Sequence, residues 1–330
     1  TGDVSVGAVN ANSLSVTSGG AISQAAAAKV YGVASFTATN EITLNDSANS
    51  FGPISLNSTA ANKNIAITEG GTLNLRSVAM AAGNGTFTAT SVNGDIIDSG
   101  LAGVVAGGTR TANGSGVVTL AAANGNIVID DPTSAFPTNG GVVFNGKNVT
   151  LSLLGATGAT LALGNSTSTS RANGNLTVTV AIGDIGNLGN IIAAGDAWFQ
   201  AGSGNITLGQ AANSFGSVKF VGNQVNVAQT GDMKLVVGSQ AIGPAQLTTS
   251  NGNISIVSPA GSAGIVSFGN TATLSASGNI TLPRLIQVAN TLTVRASGTA
   301  DLSALSTSND LSGRAPVNLG TGTYVPPALP

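Results

Sequence analysis

The sequence predicts a single right-handed parallel β-helix of about sixteen coils with almost no α-helix, and three observations lead there. Short runs alternate apolar and polar residues. One glycine-centred tetrapeptide returns between those runs. Longer signatures return at offsets of about 80 residues or twice that, as the stacked units of a solenoid do.

The alternation is plain in SLSVTS from Ser13, SFTAT from Ser35, TLNL from Thr72, GTFTAT from Gly85, NLTVTV from Asn175 and TLTVRAS from Thr291. A period of two puts an aliphatic edge on one face of a strand and Ser, Thr or Asn on the other. No run keeps the i, i+3, i+4, i+7 spacing of an amphipathic helix over several turns. Ala25 to Ala28 is short and lies between strand signals.

The tetrapeptide [N/S]-G-[N/D]-[I/L] occurs six times, with its glycine at Gly94, Gly125, Gly174, Gly204, Gly252 and Gly278. Asn and Gly tolerate positive φ, so these are expected to be sharp corners between strands. The spacings 174 − 94 = 80, 204 − 125 = 79 and 252 − 174 = 78 suggest a super-repeat. ITLNDSANSFG at Ile42 returns as ITLGQAANSFG at Ile206, and 206 − 42 = 164 is about two such periods. A weaker copy from Ser134 sets Phe144 against Phe220 and Gly146 against Gly222, both 76 apart. Residues 1–322 therefore read as one β-helix of about four degenerate units, each of about four coils of roughly 20 residues. Residues 323–330, TYVPPALP, carry three of the ten prolines and read as a Pro-rich tail that cannot extend a ladder.

Composition fits a thin solenoid. Hydrophobic residues make up 42% of the chain, aromatics only 4%, so the core must be built from small side chains. Charged residues are 7%, far below the roughly 25% of ordinary domains, so hydroxyl and amide groups must wet the surface. Histidine and cysteine are absent, which excludes the commonest general base and transition-metal ligand, along with thiolate nucleophiles and disulfides. The net charge of −2 and the scattered Lys and Arg give no reason to expect nucleic acid. No stretch of about 20 apolar residues indicates membrane insertion.

Together AISQ, GVASFTATNEITL, NSFGPISL, NIAITEGGTLNLRSV and GTFTATSVNGDI, between Ala21 and Ile96, resemble the repeat region of filamentous haemagglutinin-like large exoproteins, which use two-partner secretion. The likeness continues from Gly195 (GDAWFQAGSGNITL) to Ile254. It implies a right-handed parallel β-helix, secretion or cell-surface display by a Gram-negative bacterium, and a role in adhesion, aggregation or biofilm. The family's N-P-N-G-type secretion motif and a C-terminal toxin or anchor segment are not found, which suits an interior piece of an adhesin or a shorter relative.

The chemistry-bearing residues are few. Asp130-Asp131-Pro132 is a turn signal, and Asp95 and Asp98 flank Ile96 and Ile97 beside the Gly94 corner, where capping of local backbone is expected. Neither pair has the partners catalysis needs. No catalytic, cofactor-binding or metal residue is assigned, no cofactor is expected, and the chain is read as not an enzyme. Aligning GVASFTA with GDAWFQA sets Phe199 against Phe36. Ala197, Phe199 and Ala201 then face inward, and Trp198 faces outward with Gln200. Trp198, Gln200 and, in the tail, Tyr324 are the candidate partner contacts.

The strand-like opening TGDVSVGAVN predicts an uncapped first coil, whose unpaired N–H and C=O groups recruit further strands. The expected partners are thus other copies stacked end to end, neighbouring adhesin segments, or a surface glycan or protein. Two rival readings are a β-helical carbohydrate-active enzyme or glycan-binding module, and an ice-binding solenoid. The enzyme needs clustered charges, and the ice-binding face needs T-x-T triplets in register, for which FTAT and LTVTV are too irregularly spaced.

Overall fold

Alternation forces every second side chain of each strand toward one interior, and stacking the strands in parallel closes that interior into a tube. The computed structural model describes residues 2–98, 104–105, 116–136, 140–154, 160–259, 264–283, 286–303, 317–319 and 323–325. Among these the chain is all-β, without helix, and every named strand pair is parallel. One long ladder runs through Val4–Val6, Ile22–Gln24, Ile42–Leu44, Ile65–Glu69 and Phe87–Ser91 and onward to Val317–Leu319. The other runs through Leu14–Ser18, Ala34–Ala38, Ile54–Ser58, Leu73–Met80 and Ile96–Asp98 and onward to Thr323–Val325. Shorter strands such as Val9–Ala11, Ala28–Val30 and Ser50–Phe51 close the remaining side.

About 13 turns stack in this way, fewer than the sixteen expected. The coils are longer than expected because their corners vary. The ladder partners Val4↔Ile22 are close in sequence (22 − 4 = 18), whereas Phe87↔Val118 are far apart (118 − 87 = 31). The offset from Ile42 to Ile206 spans seven ladder steps, through Ile65, Phe87, Val118, Val142, the paired strands Leu161–Leu163 and Ile185–Asn187, and then Ile206. Half of seven is not a whole number. The weaker copy, which sets Phe144 against Phe220, therefore lands on the other ladder: Phe144 pairs with Leu120 in the first, Phe220 with Phe199 in the second. The unit of about 80 residues is thus near three and a half coils, not four, and the in-register unit is the longer one. The final pairing, Thr299–Asp301 with Thr323–Val325, carries the ladder past position 322 as far as Val325. Pro326, Pro327 and Pro330 lie outside the described residues.

Inward rows are aliphatic with six fully buried phenylalanines, Phe36, Phe87, Phe144, Phe199, Phe220 and Phe268. One surface ion pair occurs among the described residues, Lys63–Glu41 at 3.4 Å, and such a pair contributes at most about 1 kcal/mol. Burial and coil-to-coil hydrogen bonds must supply the stability.

The recurrent corner works differently from the expectation. None of its six glycines has positive φ; within the motif only Asn251 does, at 59°. Glycine is required because the preceding coil lies against it. A Cβ on Gly125 would sit 2.0 Å from the Gly94 carbonyl oxygen, and one on Gly204 would sit 1.8 Å from that of Gly183. The third residue of the motif is the fastener. The side-chain oxygens of Asp95, Asn126, Asn175, Asn205, Asn253 and Asn279 accept the backbone N–H of Asn126, Asn148, Asp196, Gln224, Asn279 and Thr299, each one coil on. Asp95 therefore fastens the next coil rather than capping its own backbone.

The ANSFG signature is a second fastener. Asn49 accepts from the Ala28 N–H at 2.9 Å and from Gln24 Nε2, and it donates to the carbonyls of Leu44 and Thr68. Asn213 repeats the pattern, accepting from the Ile191 N–H and Asn187 Nδ2 and donating to the carbonyls of Leu208 and Ala228. Each amide thereby joins three successive coils. The phenylalanine two residues on packs edge-on against the coil before it, Phe51 against Phe36 at 5.9 Å and Phe215 against Phe199 at 5.5 Å.

Candidate contact surface

Because Ala197, Phe199 and Ala201 fill the core at 0–1% exposure, the intervening side chains must face out. Trp198 is 39% exposed and Gln200 is half-buried. A register shift between Ala193 and Asp196 precedes them, a bulge at which Gly195 fits only without a side chain: a Cβ there would meet Asn175 Oδ1 at 2.3 Å. The bulge sets Asp196, Trp198 and Gln200 on one outer face.

Neighbouring coils complete the surface. Trp198 lies in register between Thr177 and Lys219, and Lys219 Nζ sits 5.0 Å from the indole centroid, a cation–π contact. Ser217 Oγ donates to Asp196 Oδ1 at 2.7 Å, holding that carboxylate beside the pair. The result is an aromatic edge with a cation on one side and a fixed anion below it, bordered by the outward Thr177, Thr179 and Val221. With one ring face occupied by Lys219, the free part of Trp198 is its outer edge, which suits burial against a protein surface better than flat stacking of a sugar. Comparison of the run WFQ (198–200) with KFV (219–221), one coil further on, would have revealed Lys219 from the sequence, since the two buried phenylalanines align.

Tyr324 lies elsewhere, with its backbone opposite Ala300 in the last described rung, and its side chain is outside the described residues. The structure does not bring it together with Trp198.

Asp98 and Asp131 hold neighbouring groups. Asp98 accepts from the N–H groups of Asp130 and Asp131 and from Ser134 Oγ, and burial pushes its carboxyl above the usual range against the pull of those donors. Asp131 closes a turn by accepting the Thr133 N–H at 2.8 Å. Among the described residues no three His, Cys, Asp or Glu side chains converge.

A second surface feature is a groove of about 380 Å³ running across three coils. Thr248, Ser275 and Arg295 form one outward row in register along it, and Ser277 and Ser297 line its rim. The side chains of Thr248, Ser275 and Arg295 make no hydrogen bond within the described residues, so a hydroxyl, a hydroxyl and a guanidinium are presented at successive strand spacings of about 4.8 Å.

Comparison with known proteins finds one family: repeats of unknown function (DUF5649) match residues 1–57 and 146–221. Each matched segment holds one ANSFG fastener with its edge-on phenylalanine pair. No curated protein and no solved structure matches the chain.

Proposed function

We propose that this repeat β-solenoid is the shaft of an extracellular adhesive rod of the filamentous haemagglutinin-like kind, working as a scaffold rather than as an enzyme. The observation that carries the reading is a sealed aliphatic core wrapped by a flank of mostly hydroxyl and amide side chains, on which Trp198 with Lys219 is an anchored aromatic contact point, while Tyr31, 71% exposed, stands freer. A stiff spacer needs a continuous ladder and little surface chemistry, and a contact point needs an anchored aromatic side chain. Localisation at the cell surface and partners of the rod, whether further copies, neighbouring adhesin segments or a host protein, belong to the same proposal.

The test has two parts. Electron microscopy of the purified chain should show rods about 60 Å long, from about 13 turns at ~4.8 Å each. Surface fractionation of producing cells should recover the chain outside, and Trp198→Ala should lower adherence of chain-coated beads at least fivefold while leaving the rods intact. Retention of the chain inside the cell, or adherence unaffected by Trp198→Ala, would overturn the reading.

The groove favours a second reading, a saccharide-binding flank. A guanidinium above two unengaged hydroxyls matches a carboxylate-bearing sugar, since Arg pairs with carboxylates in bidentate geometry. Calorimetry with uronate oligosaccharides should then give binding that Arg295→Ala weakens about tenfold or more, with neutral oligosaccharides inert. Equal heats from both sugar classes would remove this reading.

A further inference from the structure

The two copies of the ANSFG fastener differ at one buried position. Asn49 donates to the Thr68 carbonyl and Asn213 to the Ala228 carbonyl, so the residues that follow, Glu69 and Gln229, are equivalents. Both are buried, each at 2% exposure. Gln229 donates Nε2 to the Asp232 carbonyl and is neutral at every pH. Glu69 is a carboxyl group enclosed by backbone: its Oε2 accepts the Phe51 N–H at 3.0 Å, and the Gly71 N–H also donates to it.

We propose that the Glu69 corner is a proton-operated latch, closed around the neutral carboxylic acid and opening when the acid ionises, so that the amides of Phe51 and Gly71 are released to solvent. The surroundings offer the charged form two N–H donors and no cation. The strands stacked against it, Ser50–Phe51 in one coil and Phe87–Ser91 in the next, carry no charged residue. Lys29, opposite Ser50, is exposed; Asp46, in the turn whose backbone lies against Gly70, accepts the Ala48 N–H; Arg76, on the strand that follows, is half-exposed; and Asp98, at the end of Ile96–Asp98, is held by its own donors. None of these exerts a charge effect on Glu69, which responds to burial first and to its two backbone donors second.

Burial pushes the Glu69 pKa up to about 7 from 4.5. In the open corner the carboxyl is solvated and ionises near its ordinary value. The open form therefore gains over the closed one as pH rises from about 4.5 to about 7, and the difference is constant above that. The proton leaves to solvent, and the second copy, with Gln229, undergoes no such change.

Hydrogen exchange with correction for intrinsic rates tests this on the whole chain. Between pH 5 and pH 8 the opening constant at Phe51 and Gly71 should rise on the order of tenfold or more, while Phe215 in the other copy stays level. The amides of Asp130 and Asp131 report Asp98 separately. Glu69→Gln, which installs the side chain the second copy already has, should fold and abolish the pH dependence at Phe51 and Gly71. A flat wild-type profile, or an unchanged slope in Glu69→Gln, would overturn the proposal; neither result bears on adhesion or localisation.

Discussion

Gly204→Ala should open the ladder around the corner it occupies, at a cost of at least about 3 kcal/mol. The added methyl carbon would lie 1.8 Å from the Gly183 oxygen, 2.6 Å from the Gly183 carbon and 3.1 Å from the Ala201 oxygen, all of them backbone atoms that no rotamer change can move. Relief requires the two coils to separate, which breaks the Asn205 N–H bond to Asp184 Oδ1 and the Ile185 N–H bond to the Asn205 carbonyl. Because a solenoid is stabilised coil by coil through neighbour contacts, the loss should be local: fast amide exchange around Gly183 to Asn187 and Gly204 to Leu208, with distant coils still protected. Gly209→Ala is the control, since its Cβ would meet nothing nearer than Asn226 Nδ2 at 4.0 Å. Chemical denaturation should place Gly209→Ala within about 0.5 kcal/mol of the parent. Equal behaviour of the two variants would show that close approach is not why the corner carries glycine.

Asn213→Leu is the second large effect. The substitution keeps the number and branching of heavy atoms in a fully buried side chain, with somewhat bulkier ends, but deletes all four of its hydrogen bonds. The Ile191 N–H and the Leu208 and Ala228 carbonyls would be left buried without that partner. At about 1–3 kcal/mol for an unsatisfied group, partly relieved by local relaxation, a total of about 4 kcal/mol is expected. Asn49→Leu should cost about the same, because Asn49 makes the same set of bonds in the first copy. A cost below about 1 kcal/mol in both variants would mean that the fastening is carried by the neighbouring strands.

Particular residues show how far the sequence could be read. The inward rows were legible: Ala34, Phe36 and Ala38, or Ala197, Phe199 and Ala201, follow from alternation alone, because a strand has a period of two and only one face can be dry. The outward placement of Trp198 came with them. Lys219 and Arg295 were not grouped with their neighbours, because what stands beside a residue on a solenoid is one coil away, and coil length varies from corner to corner. The same variation hid the three-and-a-half-coil step between Phe144 and Phe220. The glycine of the recurrent corner was recognised but given the wrong reason, since turn propensity is a local property and close approach of two coils is not. Burial at Glu69 was invisible, as nothing in IAITEGG distinguishes a carboxylate under a corner from one in water.

By itself, then, the sequence determined a repeating β-solenoid with almost no helix and a small-residue core, because alternation, glycine spacing and scarcity of charge are one-dimensional properties that survive degeneracy. Only the tertiary structure decided the number of coils, the asparagine fasteners, the Trp198–Lys219 pair and the buried Glu69. Each depends on which residue lies one coil away, and that is set by hydrogen-bond register between strands about 20 to 30 residues apart, a distance the chain does not write at any single position.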